Sequence, residues 1–173
     1  MELLGLLILL IIIGLLSNFM IKDLKNKYIK KYQYDSEFEK IGKLGEHFKK
    51  TKIPTIKLTI NNKRYTFILD SGASTNILDK SFAEELKLYT TQNNIEVLGT
   101  GGVENSSKET NLEFLYNNQK FKEPFTIVNL GTPREYLLNI GIDVKGLLSA
   151  DFFEKYKWML DFNNIVIWKS LKN

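Results

Sequence analysis

The 173-residue chain has no cysteine, one histidine and three prolines, and it carries no internal repeat or low-complexity tract. The lack of cysteine excludes disulfides, thiolate nucleophiles and sulfur-ligated metals, and leaves oxidising and reducing compartments equally open. His47 is the sole imidazole, set in a charged stretch, and Ser71 does not stand in a G-x-S-x-G elbow, so a serine hydrolase lacks its base. Carboxylates are scattered without EF-hand spacing, and no metal site is expected. Residues 99–102, Gly99-Thr100-Gly101-Gly102, fall short of a dinucleotide fingerprint because Glu104 takes the place of its third glycine; they read as a flexible loop. Asn105-Ser106-Ser107 has the form of a glycosylation sequon and reads as a polar loop tip.

Charge of one sign is also scarce: the formal net is +4, and much of the excess lies in residues 22–52 beside an apolar run. That placement suits a membrane surface, and no nucleic-acid partner is expected. The run itself, LLGLLILLIIIGLLSNFMI at 3–21, has no charged side chain. As a helix it reaches roughly 30 Å, about the thickness of a bilayer's hydrocarbon core. A cleaved signal peptide would need a basic start and an A-x-A site, and neither is present, so residues 1–21 are read as a retained transmembrane helix in contact with membrane lipid. Lys22, Lys25, Lys27, Lys30 and Lys31 crowd its C-terminal flank, and by the positive-inside rule the rest of this single-pass chain is expected in the cytosol, the extracytoplasmic side being the alternative. Residues 22–53 read as a charged, partly helical stalk, with Tyr28, Ile29, Tyr32, Phe38 and Ile41 as a broken apolar stripe.

From Pro54 to the end, residues 54–173, the pattern changes to short β-like runs parted by turn residues. PTIKLTI (54–60) and RYTFILD (64–70) flank Asn61-Asn62 as a hairpin. IEVLG (95–99), TNLEFLY (110–116), QKFKEPFTIV (119–128), KWMLDF (157–162) and IVIWK (165–169) follow, with Asn117-Asn118 and Asn163-Asn164 at turns. Two helices are expected, at 79–88 with Asp79 as N-cap and at 150–156. Many short strands at close spacing imply a small all-β closed structure.

The chemistry concentrates in FILDSGAST, residues 67–75. Phe67, Ile68 and Leu69 run towards an interior and end on Asp70, with Ser71, Gly72, Ala73 and Ser74 keeping the next turn compact before Asn76-Ile77-Leu78 resumes apolar sequence. Asp-Ser-Gly alone is a common strand ending. In this setting the chain resembles the retropepsin-like aspartic peptidases, whose mark is an apolar strand running into D-[ST]-G-A-[ST]. A second likeness lies at 146–168, where Leu147-Leu148-Ser149 matches the family's apolar-apolar-Gly element, followed by its short helix and closing strands. Gly99, Thr100, Gly101 and Gly102 fall in the segment similar to the family's flap. The likeness covers residues 54–170.

That resemblance implies an all-β, closed acid-protease barrel with one or two short helices, behind the transmembrane helix. It implies hydrolysis of a polypeptide substrate by water held between two aspartates, Asp70 being one, with no cofactor. The chain has one D-[ST]-G, so the family's mechanism implies a homodimer with Asp70 from each copy at a two-fold axis. A proton shared between the two is the family's standard arrangement. Carboxylates about 4 Å apart repel by about 4 kcal/mol at an effective dielectric of 20, which opposes double ionisation. Ser71 is expected to brace the paired loops. Ser149 stands where glycine is usual, and its β-carbon is expected to alter geometry behind the loop, with activity more at stake than fold. The alternative reading is an inactive fold that binds peptides or partners.

Overall fold

The computed structural model describes residues 19–22, 37–92, 97–99, 102–104 and 108–172. They divide into two units, residues 1–38 with 171–173, and residues 39–170. In the first, residues 19–22 are helical, the Leu171 amide donates to the Glu37 carbonyl at 2.7 Å, and Lys172 pairs with Glu37. The apolar span expected at 3–21 lies outside the described residues save for Phe19, Met20 and Ile21; among the described residues no helix is long and apolar enough to cross a membrane. Tyr28, Ile29 and Tyr32 also lie outside them.

The second unit is a barrel. In chain order its elements are β1 (Phe38–Lys43), α1 (Phe48–Thr51), β2 (Thr55–Ile60), β3 (Lys63–Leu69), β4 (Ile77–Asp79), α2 (Lys80–Glu85), β5 (Thr91–Gln92), β6 (Val97–Gly99), β7 (Gly102–Glu104), β8 (Lys108–Tyr116), β9 (Gln119–Val128), α3 (Gly131–Asn139), β10 (Val144–Leu148), α4 (Ala150–Tyr156), β11 (Trp158–Asp161) and β12 (Val166–Ser170). One sheet runs β2-β3-β10-β4-β9-β8-β5, and the pairing of β2 with β8 at Thr59 and Leu115 closes its first six strands into a ring. The closed all-β barrel implied by the resemblance is therefore observed.

Local sequence accounts for most of these strands. In β8 and β9 every second residue is buried from Thr110 to Tyr116 and from Phe121 to Phe125, the period-two pattern of a sheet with one wet face. Asn61 and Asn62 have φ of 48° and 64°, and Asn117 and Asn118 have 45° and 66°, as a two-residue hairpin turn requires. The core joins Ile56, Leu58, Phe67, Leu69, Leu78 and Phe82 to a cluster of rings. In that cluster Phe152 meets Trp158 at 5.0 Å, Tyr156 at 4.7 Å and Phe121 at 5.6 Å between centroids, and Phe121 stacks on Phe114 at 5.2 Å. Burying each such side chain contributes about 1.5–3 kcal/mol.

The structure adds strands β4, β5 and β10 to those expected, and it departs from expectation in three further places. Residues 38–51, within the stretch 22–53 read as a charged, partly helical stalk, form β1 and α1, and the compact unit starts at Glu39, ahead of Pro54. Gly42 and Gly45 weaken a helix here, and β1 instead pairs beside β12, with Leu44 and Phe48 buried in the core. A β-carbon at Gly42 would meet the Tyr116 hydroxyl, so a larger residue there needs the Tyr116 side chain to shift. Second, α3 adds a helix where none was expected. Its Gly131, Pro133 and Gly141 look like loop punctuation, but proline is tolerated in a first helical turn, and Gly141 at φ 84° ends the helix left-handed. Third, Gly102, read as loop, belongs to β7 and pairs with Gly99 at the end of the expected strand 95–99. Of the expected helices, 150–156 matches α4, and the 79–88 helix is α2, which ends at Glu85.

Candidate active site

Strands β3 and β4 follow one another in the chain but are not neighbours: β10 lies between them, parallel to β3 and antiparallel to β4. The segment joining them, residues 70–76, must therefore cross the C-terminal end of β10. This crossing places Asp70. Phe67 and Leu69 point into the core, and Asp70 is half-buried at the point where β3 ends. Close strand packing is needed beneath, and Gly146 provides it: a β-carbon there would meet the Ile77 carbonyl and stand 2.7 Å from Phe67 Cε1.

Hydrogen bonds fasten the loop from both sides. The Asp70 amide donates to the Leu148 carbonyl at 2.9 Å, and the Ala150 amide donates to the Ala73 carbonyl at 2.9 Å. Within the loop, Asp70 Oδ1 accepts from the Gly72 amide at 2.9 Å and the Asp70 carbonyl from the Ala73 amide at 3.3 Å. A β-carbon at Gly72 would stand 3.3 Å from Asp70 Oδ1, so glycine leaves room beside the carboxylate. Ser71, Gly72 and Ser74 are exposed and Ala73 is partly so. A half-exposed carboxylate, with one oxygen held by a backbone amide, can accept a proton from a water on its open side.

Leu147 and Leu148 pair in register with Ile68 and Leu69 of β3, so the second apolar element lies directly alongside the strand that carries Asp70. Ser149 is accommodated without backbone strain. Its backbone, at φ −90° and ψ 175°, is extended and open to any residue, and its fully buried side chain is hydrogen-bonded. β6 and β7 pair antiparallel as a ribbon with Gly99 opposite Gly102; Thr100 and Gly101, between them, lie outside the described residues.

Asn76 went unnoticed in the sequence as a functional residue. It is buried at the end of the loop, where its Oδ1 accepts from the Ser149 amide at 3.0 Å and the Ser149 hydroxyl at 3.2 Å. Its Nδ2 donates to the Pro124 carbonyl at 3.1 Å, and its own carbonyl accepts from the Thr126 amide at 2.9 Å. The available signal was a polar residue at the mouth of an apolar strand. Arg134 of α3 also ties distant segments together. It donates to the Val144 carbonyl, to Ser81 and to Asp143, and it pairs at 3.3 Å with buried Asp79, the cap of α2. Burial opposes ionisation of Asp143, but the hydrogen bonds and charges of Lys145 and Arg134 outweigh it and hold this carboxyl below its usual range. Among the described residues no cluster of three or more metal-ligating side chains occurs.

A closed β-barrel with one Asp-Ser-Gly loop at a strand end defines the class as a single-motif acid-protease barrel. Residues 56–152, more than half of the chain, match the aspartyl protease family. The chain belongs to that family. Among solved structures it is similar to a retropepsin-like aspartic protease from Rickettsia conorii, at 22% identity and a TM-score of 0.49 over 77% of this chain and 91% of that one. It is also similar to EIAV protease complexed with the inhibitor HBY-793, at 19% identity and 0.47, over 61% and 89%. A third is the retroviral protease-like domain of Ddi1 from Leishmania major, at 16% and 0.45, over 66% and 90%. A search of curated proteins gives no match.

Proposed function

We propose that the protein is a membrane-anchored aspartic endopeptidase that acts as a homodimer and cleaves polypeptides. The observation that carries this reading is Asp70, half-exposed at the end of β3 on a loop fastened to β10, within the stretch that matches aspartyl proteases. Each copy contributes one Asp70 to a single site on the two-fold axis. The ionised partner takes a proton from water as the water attacks the peptide carbonyl, and the protonated partner supports the developing oxyanion. The β6–β7 ribbon, which pairs Gly99 with Gly102, closes over the substrate. Ser71 braces the paired loops, and no cofactor takes part.

The apolar run at 3–21 anchors the chain in lipid, with the barrel on the cytosolic side by the positive-inside rule. Confinement to a membrane raises the local concentration of copies and favours pairing even where the barrels attract weakly. The alternative is an inactive fold that binds peptides or partners, which Ser149 in the usual glycine position favours, whereas the intact Asp70-Ser71-Gly72-Ala73-Ser74 loop favours the enzyme.

The test uses the full-length chain in detergent with an unfolded protein as substrate. Wild-type cleavage is expected to stop on addition of a transition-state inhibitor of aspartic peptidases, and to be absent in Asp70→Asn. Equal cleavage by Asp70→Asn removes Asp70 from the mechanism.

A further inference from the structure

The loop that bears Asp70 hangs between two supports, the end of β10 on one side and β9 on the other, and a single side chain spans them. Asn76 receives both donors of Ser149 on Oδ1, at 3.0 Å and 3.2 Å, and gives Nδ2 to the Pro124 carbonyl at 3.1 Å. The amide orientation follows from the partners. A backbone N–H can only donate and a carbonyl can only accept, so the oxygen must face Ser149 and the nitrogen must face Pro124. Aspartate would set an oxygen against a carbonyl, and leucine would leave the buried Ser149 amide and hydroxyl without an acceptor, which is costly inside a protein. Ser149 is 0% exposed and Asn76 6%, so water does not compete for these bonds.

The main chain on either side of this link holds the loop. From Asn76 the carbonyl accepts the Thr126 amide, and from the Ser149 corner Leu148 accepts the Asp70 amide while the Ala150 amide donates to Ala73. Whatever moves Asn76 relative to Ser149 thus moves both ends of the segment that carries the carboxylate.

We propose that Asn76 and Ser149 form a positioning tether that sets the height of the Asp70 loop over the end of β10. Its bearing on catalysis rests on the peptidase reading above. In this chain the serine in place of glycine is a working part: its hydroxyl adds a second donor to the amide oxygen that ties the loop down.

The test compares Asn76→Ala and Ser149→Ala with wild type in the full-length chain by two readouts, steady-state cleavage and amide hydrogen exchange. Losing one neutral hydrogen bond from a structure that positions a reacting group is expected to lower kcat by up to about tenfold in Ser149→Ala. Losing all three is expected to lower it by about a hundredfold in Asn76→Ala. KM stays unchanged in both, because the tether does not touch substrate. The amides of Asp70 and Ala150 lose protection selectively, while those of the β8–β9 ladder keep theirs. Unchanged protection of those two amides, a uniform loss across the barrel, or a loss carried by KM would overturn the tether. The exchange result needs no turnover, so it decides the tether even if wild type proves inactive, an outcome that sinks the peptidase reading instead. Ser149→Ala removes one hydroxyl only, and it serves if Asn76→Ala does not fold.

Discussion

The Asp70 loop and the aromatic cluster of β8, β9, α4 and β11 are held by different forces. Around Phe114, Phe121, Phe152 and Trp158, apolar area removed from water does the work, and ring centroids stand 5.0–6.1 Å apart for the pairs that Phe152 makes with the other three. Around Asp70 the side chains are polar or small, three of the five in the motif are exposed, and backbone hydrogen bonds fix the geometry. Burial is tolerant of direction; hydrogen bonds are not. The molecule thus keeps its stability in one region and its geometric precision in another.

Substitutions in each region test that division. The largest effect expected is on activity: Asp70→Asn should lower turnover at least about ten-thousandfold, ~5.5 kcal/mol of transition-state stabilisation, with the urea midpoint unmoved. A midpoint that fell with it would make the loop a stabilising element and blur the comparison. Next, Phe152→Ala, at 1% exposure, should destabilise the barrel by about 3–5 kcal/mol in urea titrations. A shift below a third of that would mean the ring cluster collapses to fill the space.

Alkaline pH probes the same aromatic region more gently. Burial pushes the Tyr116 hydroxyl from 10.0 to about 12, and burial together with the hydrogen bond to Glu123 and its negative charge pushes Tyr156 to about 12. A folded-state value above the unfolded one contributes stability that is whole below pH 10 and is lost as pH climbs towards 12. Replacing both by phenylalanine should flatten that alkaline loss in thermal melts taken from pH 9 upward, and an equally steep loss would contradict the assignment. The smallest effect is expected at the surface, where Lys120 meets Glu113 at 2.6 Å with both side chains about half-exposed or more. Lys120→Ala should leave the urea midpoint where it was, since exposed pairs are screened.

Much of the barrel was legible in the sequence. The Asn61-Asn62 and Asn117-Asn118 turns, the alternation of β8 and β9, the α4 helix and the strand ending on Asp70 each declare themselves within about ten residues. What escaped was long-range. The bond between Asn76 and Ser149 joins residues 73 apart, and the bond between Arg134 and Ser81 joins residues 53 apart. Both exist only because β10 enters between β3 and β4, a topology that no local pattern encodes. β1 was obscured by its charged neighbours, and α3 by the glycines and proline that in fact bracket and start it.

Mixing subunits tests most directly whether two Asp70 carboxylates from two chains make one site. Wild-type and Asp70→Asn chains are combined in detergent at fixed total protein, left to exchange, and assayed for cleavage. If each site needs an intact aspartate from both copies, activity follows the square of the wild-type fraction and an equal mixture keeps about a quarter of the full rate. Activity that falls in direct proportion, leaving about half, would show that a single chain carries a complete site and would contradict the account.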